Sequence, residues 1–553
     1  GTGGHGASAA LTSAGHQSIA AINDSAAPTI LLQGGQASDG SGNGNFADIQ
    51  ANGSQDISAG SIQLTGGSGS ATLLGSYARI AQLASGGAQT IESATDIMIF
   101  GGVDNANTAS ITSAGNQTIE AGGTLKVAGG GLKTASGSGN EAEIRAHGVQ
   151  AIQANELQIY AGTGDDDAHD NSARILQTKT SGSQTISIQG TTDLQAPAHL
   201  KLIGGDGGYQ SEARIESYGS QSISQWGTGT LAIELTGGTS GATGAAWTDH
   251  AAACPDCATF NQALIKSRGV QNISASQLSI SGGEAGIGNS ASVKADGAQT
   301  LTISDAITLA GGESGGTFIA GYGVDGLLDN GAHLSSETSQ NISTGTLQLF
   351  GRGGPDSVSG AFLTAPIQTI TASNVNLFGG ESNVSALEGA PYHAPNITSA
   401  AVIGWDEASQ ITLTVSNSFD MTGGDGSGGN VLLGSLLGTS SINLSAYSIF
   451  VGGNASAAAF VGNGNAQAST NTLLLRATGT SGIALGNHSH LLAGLNGQLT
   501  LTADTGDINQ ANSDTRLITK AFTATAHTGL WLDGPDNKIY GSASLTTTAG
   551  DIS

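Results

Sequence analysis

The sequence is poor in basic residues and contains no long apolar run. Of its 553 residues, 16 are Lys or Arg against 42 Asp or Glu, which gives a formal net charge of −26. Nucleic acids and anionic membrane surfaces are bound by clustered basic side chains, so this composition argues against both as partners. No stretch approaches the roughly 18 consecutive apolar residues of a transmembrane helix, and we therefore expect no membrane insertion.

Aromatic residues make up 4% of the chain and charged residues 10%. The interior must therefore be filled by Ile, Leu, Val and Ala, which suits a narrow core. Gly is abundant, with 88 residues, but the regular alternation of apolar residues argues against disorder. The length exceeds that of one ordinary compact domain, although a solenoid has no such limit because each coil contacts only its neighbours.

One short pattern recurs along most of the chain, a Gln followed two residues later by Ile or Leu. Successive copies are 28 to 50 residues apart, and the separation of 28 occurs three times. Such recurrence is the sequence signature of a repeat architecture. A twelfth, weaker copy is Gln410 with Leu413. The eleven clear copies begin at Gln17, Gln55, Gln89, Gln117, Gln150, Gln184, Gln221, Gln271, Gln299, Gln340 and Gln368.

Each repeat contains three short segments in which apolar residues alternate with period two, as in β-strands. Gly-Gly pairs such as Gly101-Gly102 mark corners, where we expect the positive φ that Gly tolerates. The sequence thus predicts an all-β fold: a right-handed parallel β-helix, or solenoid, of about 17 coils with loop insertions on one edge. We expect residues 1–410 to form Gln-repeat coils with a 28-residue minimal unit. Residues 411–553 continue the β-helix with shorter, more degenerate coils of about 20 residues.

The repeated Gln shares the parity of the inward Ile, as in Gln117, Ile119 and Ala121. We therefore place the amides inside, each stacked on the Gln of the next coil in an axial ladder. A buried amide is costly unless it is paired, so a column in which each member satisfies its neighbour is the favoured arrangement. The alternative is a Gln side chain that points to water.

Residues 499–508 and 544–552 resemble repeats of filamentous-haemagglutinin-type exoproteins, and the Gln repeat of residues 17–410 is similar in style. These are large adhesins of Gram-negative bacteria that are exported by two-partner secretion. The resemblance implies a secreted protein at the bacterial cell surface. The family's amino-terminal secretion domain is not recognisable, as expected for a piece of the shaft. We expect the natural polypeptide to continue beyond both ends, or one subunit's last coil to dock on the next subunit's first.

The function predicted from these features is that of a non-enzymatic extracellular shaft, which mediates attachment between cells or to surfaces or scaffolds a biofilm matrix. Its partners would be itself, the rest of a longer chain, or a cell-surface or matrix polysaccharide.

An alternative function is that of a self-assembling filament or sheath subunit. A weaker one is a carbohydrate-active enzyme, which needs convergent carboxylates. We find no acidic residues at matched offsets in neighbouring coils, and expect no catalytic site, metal or cofactor.

The chain has one cysteine pair, Cys254 and Cys257, in the longest interval between Gln copies. Haem attachment would require His at position 258, where Ala258 stands, and a zinc site would require more ligands than nearby His250. A thioredoxin-type motif would require a βαβ context. The spacing therefore favours a small disulfide in an exposed loop.

Two polar clusters are interpreted as surface features. Asp165, Asp166, Asp167 and Asp170 lack the alternating ligand spacing of calcium loops and are interpreted as an acidic loop. His488 and His490 lie two residues apart without a third ligand and are also assigned to the surface.

Four aromatic residues stand just before corners with a parity opposite to that of the core: Phe100, Tyr160, Phe350 and Phe378. We predict that they point outward, where loops cover them or where they make lateral contacts with a fibre or with sugar rings.

Overall fold

The computed structural model describes most of the chain, and the described part contains no helix. It therefore also contains no helix that would cross a membrane. The described residues are 8–20, 28–35, 45–68, 76–130, 138–163, 170–191, 197–207, 211–239, 261–284, 288–313, 317–318, 327–328, 330–353, 359–381, 399–405, 408–436, 438–454, 456–463, 470–511 and 514–553.

The described residues form 44 strands. Those up to residue 295 are β1 Ser8–Ser13, β2 Gln17–Ile19, β3 Thr29–Gln33, β4 Phe46–Ala51, β5 Gln55–Ala59, β6 Ser61–Thr65, β7 Tyr77–Gln82, β8 Ala88–Ser93, β9 Ile97–Phe100, β10 Thr108–Ser113, β11 Asn116–Ala128, β12 Ala142–Ala146, β13 Gln150–Tyr160, β14 Ala173–Gln177, β15 Ser183–Gln189, β16 Ala198–Ile203, β17 Ala213–Ser217, β18 Ser220–Trp226, β19 Leu231–Thr236, β20 Ala263–Ser267, β21 Gln271–Ser281 and β22 Ala291–Ala295.

The later strands are β23 Gln299–Ala310, β24 Thr317–Phe318, β25 Leu327–Leu328, β26 Ala332–Ser336, β27 Ser339–Phe350, β28 Ala361–Thr364, β29 Ile367–Phe378, β30 Ala401–Trp405, β31 Ala408–Val415, β32 Ser418–Thr422, β33 Val431–Ser435, β34 Thr439–Ala446, β35 Ser448–Gly452, β36 Ala459–Asn463, β37 Thr472–Ala477, β38 Ile483–Leu485, β39 Ser489–Ala503, β40 Asp507–Gln510, β41 Arg516–Ala526, β42 Gly529–Leu532, β43 Lys538–Ile539 and β44 Ala543–Thr547.

The chain divides into two compact units. The first comprises residues 1–279 and 283–297, and the second comprises residues 280–282 and 298–553. Within each unit the strands stack in three parallel sheets, which we call sheet A, sheet B and sheet C in the order in which one coil visits them.

In the first unit, sheet A carries the pattern Ala-x-Ile, which pairs in register from coil to coil, as Ala109 and Ile111 pair with Ala142 and Ile144. Sheet B carries the Gln-x-Ile pattern, and sheet C follows it, sometimes within one long strand. Sheet A consists of β1, β4, β7, β10, β12, β14, β17, β20 and β22. Sheet B consists of β2, β5, β8, the first parts of β11 and β13, β15, β18 and β21. Sheet C consists of β3, β6, β9, the last parts of β11 and β13, β16, β19 and the last part of β21.

The second unit repeats this plan. Its sheet A consists of β26, β28, β30, β33, β36, the first parts of β39 and β41, and β43. Sheet B consists of the first parts of β23, β27 and β29, then β31, β34, β37, the last parts of β39 and β41, and β44. Sheet C consists of the last parts of β23, β27 and β29, then β32, β35, β38, β40 and β42. The short strands β24 and β25 pair antiparallel.

The predicted all-β parallel solenoid is confirmed. Among the described residues sheet B has eight strands in the first unit and nine in the second, which together equal the predicted number of coils. The core lies inside each coil, where aliphatic side chains of the three sheets meet. Ile111 of sheet A, Ile119 of sheet B and Leu125 of sheet C, for example, are fully buried.

The Gly-Gly corners differ from the prediction in their physical reason. At the corner Gly101-Gly102, neither glycine has a positive φ. A Cβ on Gly101 would instead meet the backbone of Gly130 and Asn140 in the next coil, well inside van der Waals contact. Glycine is required here because successive coils approach closely and leave no room for a side chain.

The coils after residue 411 are longer than predicted at first and then shorten. The register partners in sheet B are Ile411, Ile442, Leu473, Leu499, Phe522 and Ala543, which are 31, 31, 26, 23 and 21 residues apart. The expectation of about 20 residues per coil is therefore met only at the end of this region. The predicted boundary between Gln-repeat coils and degenerate coils at residue 410 stays a prediction.

Candidate functional site

The first unit has a groove at the corner where sheet B turns into sheet C. Its floor is a row of outward side chains that pair in register across four coils: Ser58, Glu92, Glu120 and Gln153. Neighbouring parallel strands lie about 4.8 Å apart, so these side chains follow one another at that spacing. The sequence-based conclusion that acidic residues do not match between neighbouring coils is therefore wrong for Glu92 and Glu120.

Two coils form the wall of this groove because their sheet B strands continue further before the chain turns. In β15 and β18 the pairing extends to Gln189 and Trp226. Gly190 N donates a hydrogen bond to Trp226 O at 3.0 Å, and Thr191 forms an antiparallel bridge with Thr230. This extension carries the indole of Trp226 to the edge of a cavity of about 500 Å³, which we call the corner groove.

A second cavity of about 650 Å³ continues from the corner groove, because Asn155 and Gln189 line both. Glu156 and His199 also line this second cavity. Glu156 Oε1 accepts a hydrogen bond from Gln158 Nε2 at 2.8 Å, so part of its hydrogen-bonding capacity is already used.

Five side chains that line the corner groove have unused hydrogen-bonding capacity. Within the described part of the chain, the side chains of Glu92, Glu120, Gln153, Gln189 and Trp226 form no hydrogen bond or ion pair. All five side chains reach solvent, and Trp226 is 38% exposed. The groove thus offers two carboxylates, two amides and an indole to whatever enters it.

Acidic residues on the outer face of sheet A in the same unit behave differently. Arg79 donates to Asp48 with an Nη2–Oδ2 distance of 2.6 Å, which raises the pKa of the guanidinium. Glu141 accepts from Arg174 at 3.0 Å, and burial nevertheless raises the pKa of this carboxyl above its usual value. Glu216 contacts Arg268 at 2.9 Å. The chain therefore pairs these acids with its scarce arginines and leaves Glu92 and Glu120 unpaired within the described residues.

The structure places the predicted glutamines inside, in one axial column per unit. Each Nε2 donates to the Oε1 of the preceding Gln at 2.7–2.9 Å. The amide also reaches sheet A, as Gln340 Nε2 donates to Leu334 O at 3.1 Å. The column comprises Gln17, Gln55, Gln89, Gln117, Gln150, Gln184, Gln221 and Gln271 in the first unit, and Gln299, Gln340 and Gln368 in the second.

The column ends at Gln368, and Gln410 does not continue it. Ile411 is the register partner of Gln368, so Gln410 falls on the opposite face and is exposed. Gln368 Oε1 is consequently buried without a hydrogen-bond partner among the described residues. The interpretation of Gln410 as a twelfth copy was wrong because Leu413 follows it by three residues, which reverses the parity.

A second buried column, which was not predicted, lies at the start of sheet A where each variable loop returns. Asn or Ser recurs there two residues before the Ala-x-Ile pattern, and this spacing is the signal that would have revealed it. Its backbone N–H donates to the side-chain oxygen of the equivalent residue in the next coil, at 2.8–3.3 Å. In the first unit these residues are Asn45, Ser76, Asn107, Asn140, Asn171, Ser211 and Asn261.

The predicted outward aromatics occupy the last outward position of sheet C. In the first unit Ala128 pairs with both Phe100 and Tyr160, and Lys126 Nζ lies 6.0 Å and 5.0 Å from their ring centroids. Burial raises the pKa of Tyr160. In the second unit Phe350 and Phe378 stack at 5.4 Å. All four are half-buried, and their contact with a partner stays a prediction.

The predicted cysteine pair and most of the predicted acidic loop cannot be compared with the structure. Cys254 and Cys257 lie outside the described residues, as do Asp165, Asp166 and Asp167. In the part of the chain that is described, no group of three or more His, Cys, Asp or Glu side chains is arranged to hold a metal ion.

His488 and His490 differ from each other, and the surface assignment is wrong for His490. That side chain is 9% exposed, meets Phe460 edge to face at 4.9 Å, and has no partner for Nε2 in the described residues. Burial, assisted by the charge of Arg516, lowers the pKa of His490 to about 4. His488 Nδ1 lies 2.8 Å from Asp514 Oδ2.

The chain matches no known protein family, no curated protein sequence and no solved structure.

Proposed function

We propose that the chain is part of the shaft of a bacterial surface adhesin or fibre, a non-enzymatic extracellular solenoid that mediates attachment or scaffolds a matrix. The observation that supports this proposal is the axial amide column. In each unit it joins every Gln-bearing coil to the next with a buried hydrogen bond in addition to the backbone ladders. Such cross-links favour resistance to pulling along the stack, which is the load that a shaft carries.

The proposal is tested by displaying the chain on a non-adhesive bacterium and measuring cell aggregation and attachment under flow. We expect both to increase relative to cells that carry the anchor alone or an unrelated domain of equal mass. Force spectroscopy on the same display gives a second measurement. Gln340→Leu, which breaks the column, should lower the unfolding force, whereas Gln410→Leu on the surface should not. Absence of attachment would contradict the proposal.

A second candidate, a carbohydrate-active enzyme, is favoured by one observation. Glu92 and Glu120 are register partners on adjacent strands and line the same cavity, and paired carboxylates are the general requirement of glycoside hydrolysis. Release of new reducing ends from a polysaccharide, abolished by Glu120→Gln, would favour this candidate over the adhesin.

A further inference from the structure

The corner groove and its continuation have dimensions suited to a small ligand or a segment of a polymer. Their volumes, about 500 and 650 Å³, lie within the roughly 300–1,000 Å³ of ligand sites. The two cavities share Asn155 and Gln189 and therefore form a continuous path along the corner. This shape suits a chain-like ligand better than a compact one.

The acidic floor of this groove costs stability unless something uses it. Glu92 and Glu120 are direct register partners on one face of a parallel sheet, and like charges opposite each other destabilise a sheet. Elsewhere in this unit acidic side chains on a sheet form ion pairs with Arg, as Asp48 and Glu216 do. Positions at which a chain keeps a destabilising contact without a compensating partner are expected to be functional sites.

We propose that the corner groove, with Trp226 as a stacking platform and Glu92, Glu120, Gln153 and Gln189 as hydrogen-bonding groups, binds a segment of an uncharged, hydroxyl-rich saccharide chain. This inference rests on the proposed adhesin function and names the class of ligand that one lateral site of the shaft recognises.

The chemistry of the lining selects that class. Carboxylates accept hydrogen bonds from pairs of hydroxyl groups, and amides both donate and accept, which matches the alternating donors and acceptors of a sugar. The indole face of Trp226 offers an apolar platform whose N–H remains available. Anionic polysaccharides are disfavoured, because the two carboxylates stand on the floor and the chain carries a net charge of −26.

The test uses the full 553-residue chain with cellohexaose, laminarihexaose and mannohexaose as neutral probes. A galacturonic acid hexamer and a glucosamine hexamer serve as anionic and cationic probes. Binding is measured by calorimetry and by the change in tryptophan fluorescence.

We expect at least one neutral hexamer to bind and the anionic hexamer not to bind. Trp226→Ala should weaken binding about tenfold, the loss of one aromatic contact. Glu120→Gln should weaken it by a similar factor.

Two controls separate a lost ligand contact from a damaged fold. Tyr540→Ala removes an aromatic side chain that is 57% exposed in the second unit, and binding should be unchanged. Glu120→Gln should raise the urea midpoint while it weakens binding, because it relieves the repulsion from Glu92. A variant that lost both stability and binding would indicate a structural role for Glu120 and would overturn the assignment.

The remaining outcomes are equally decisive. The proposal is overturned if no neutral hexamer binds, if Trp226→Ala binds as tightly as the parent chain, or if only the cationic hexamer binds. If displayed Trp226→Ala cells still attach like the parent, the adhesin function stands and the groove assignment fails. If neutral hexamers bind but displayed cells do not attach, the groove is supported and the adhesin function fails.

Discussion

Two stretches of the second unit place different side chains at the same position of the coil. In sheet B, Gln299, Gln340 and Gln368 form a hydrogen-bonded column, whereas the next coils place Ile411 and Ile442 at that position. The parallel sheets continue through both stretches, so the fold accepts either chemistry. It requires only that neighbours match: a buried amide needs another amide above or below, and an aliphatic side chain needs an aliphatic neighbour.

The largest effect is expected when an amide is placed alone in the aliphatic stretch. Ile442 is 1% exposed between Ile411 and Leu473. Ile442→Gln should destabilise the surrounding strands by about 3–5 kcal/mol, because it removes buried apolar surface and leaves an amide without partners. Hydrogen exchange of the amides of β34 and β37 measures this free energy. Ile442→Leu is the control and should cost less than about 1.5 kcal/mol; an equal cost for both variants would contradict the argument.

A buried histidine in sheet A of the same unit should reveal its cost at acid pH. His490 has a pKa of about 4 in the folded chain against 6.5 for the free side chain. The folded state therefore binds fewer protons than the unfolded state, and the stability that is full above pH 6.5 is lost as the pH falls toward 4. The loss amounts to about 3 kcal/mol. Urea midpoints between pH 7 and 4 should fall less in His490→Leu than in the parent chain, and equal falls in the two chains would contradict the argument.

Breaking the amide column should have a smaller effect. Gln340 donates to Gln299 and accepts from Gln368, so Gln340→Leu leaves one acceptor and one donor without their partners. We expect a loss of about 1–3 kcal/mol in the opening free energy of β23, β27 and β29. Gln410→Leu changes an exposed Gln of the same unit and should have no measurable effect. If the two variants behaved alike, the column would contribute nothing.

The last comparison concerns the point where the two stretches meet. Ile411→Gln would place an amide next to Gln368 Oε1, the buried acceptor that has no partner in the described residues. The new Nε2 would extend the column by one member, so this variant should cost about 1–3 kcal/mol less than Ile442→Gln. The same exchange measurement compares them, and the prediction fails if Ile411→Gln proves the more damaging change.

The sequence carried enough information for the sheet faces but not for every register. The parity of Gln117 and Ile119 placed the amide inside, because alternation in a strand leaves only two faces. Gln410 was misassigned because a shift of one residue exchanges those faces. The match of Glu92 with Glu120 was visible in their equal distance from Gln89 and Gln117. The position of Trp226 was not, because it depends on two strands that extend beyond the usual corner.

The buried Asn and Ser residues at the start of sheet A also bear on how such a chain changes over evolutionary time. Asn261 Nδ2 donates to Thr239 O and Gly207 O, at 2.8 and 2.9 Å, and so closes the coil where the variable segment leaves and returns. The hydrogen bond between the Gln side chains of successive coils is present both where the coil has 28 residues and where it has 50. A segment grafted between Gly238 and Asn261 therefore has its attachment points fixed in advance, and new surface chemistry is acquired without redesigning the interior.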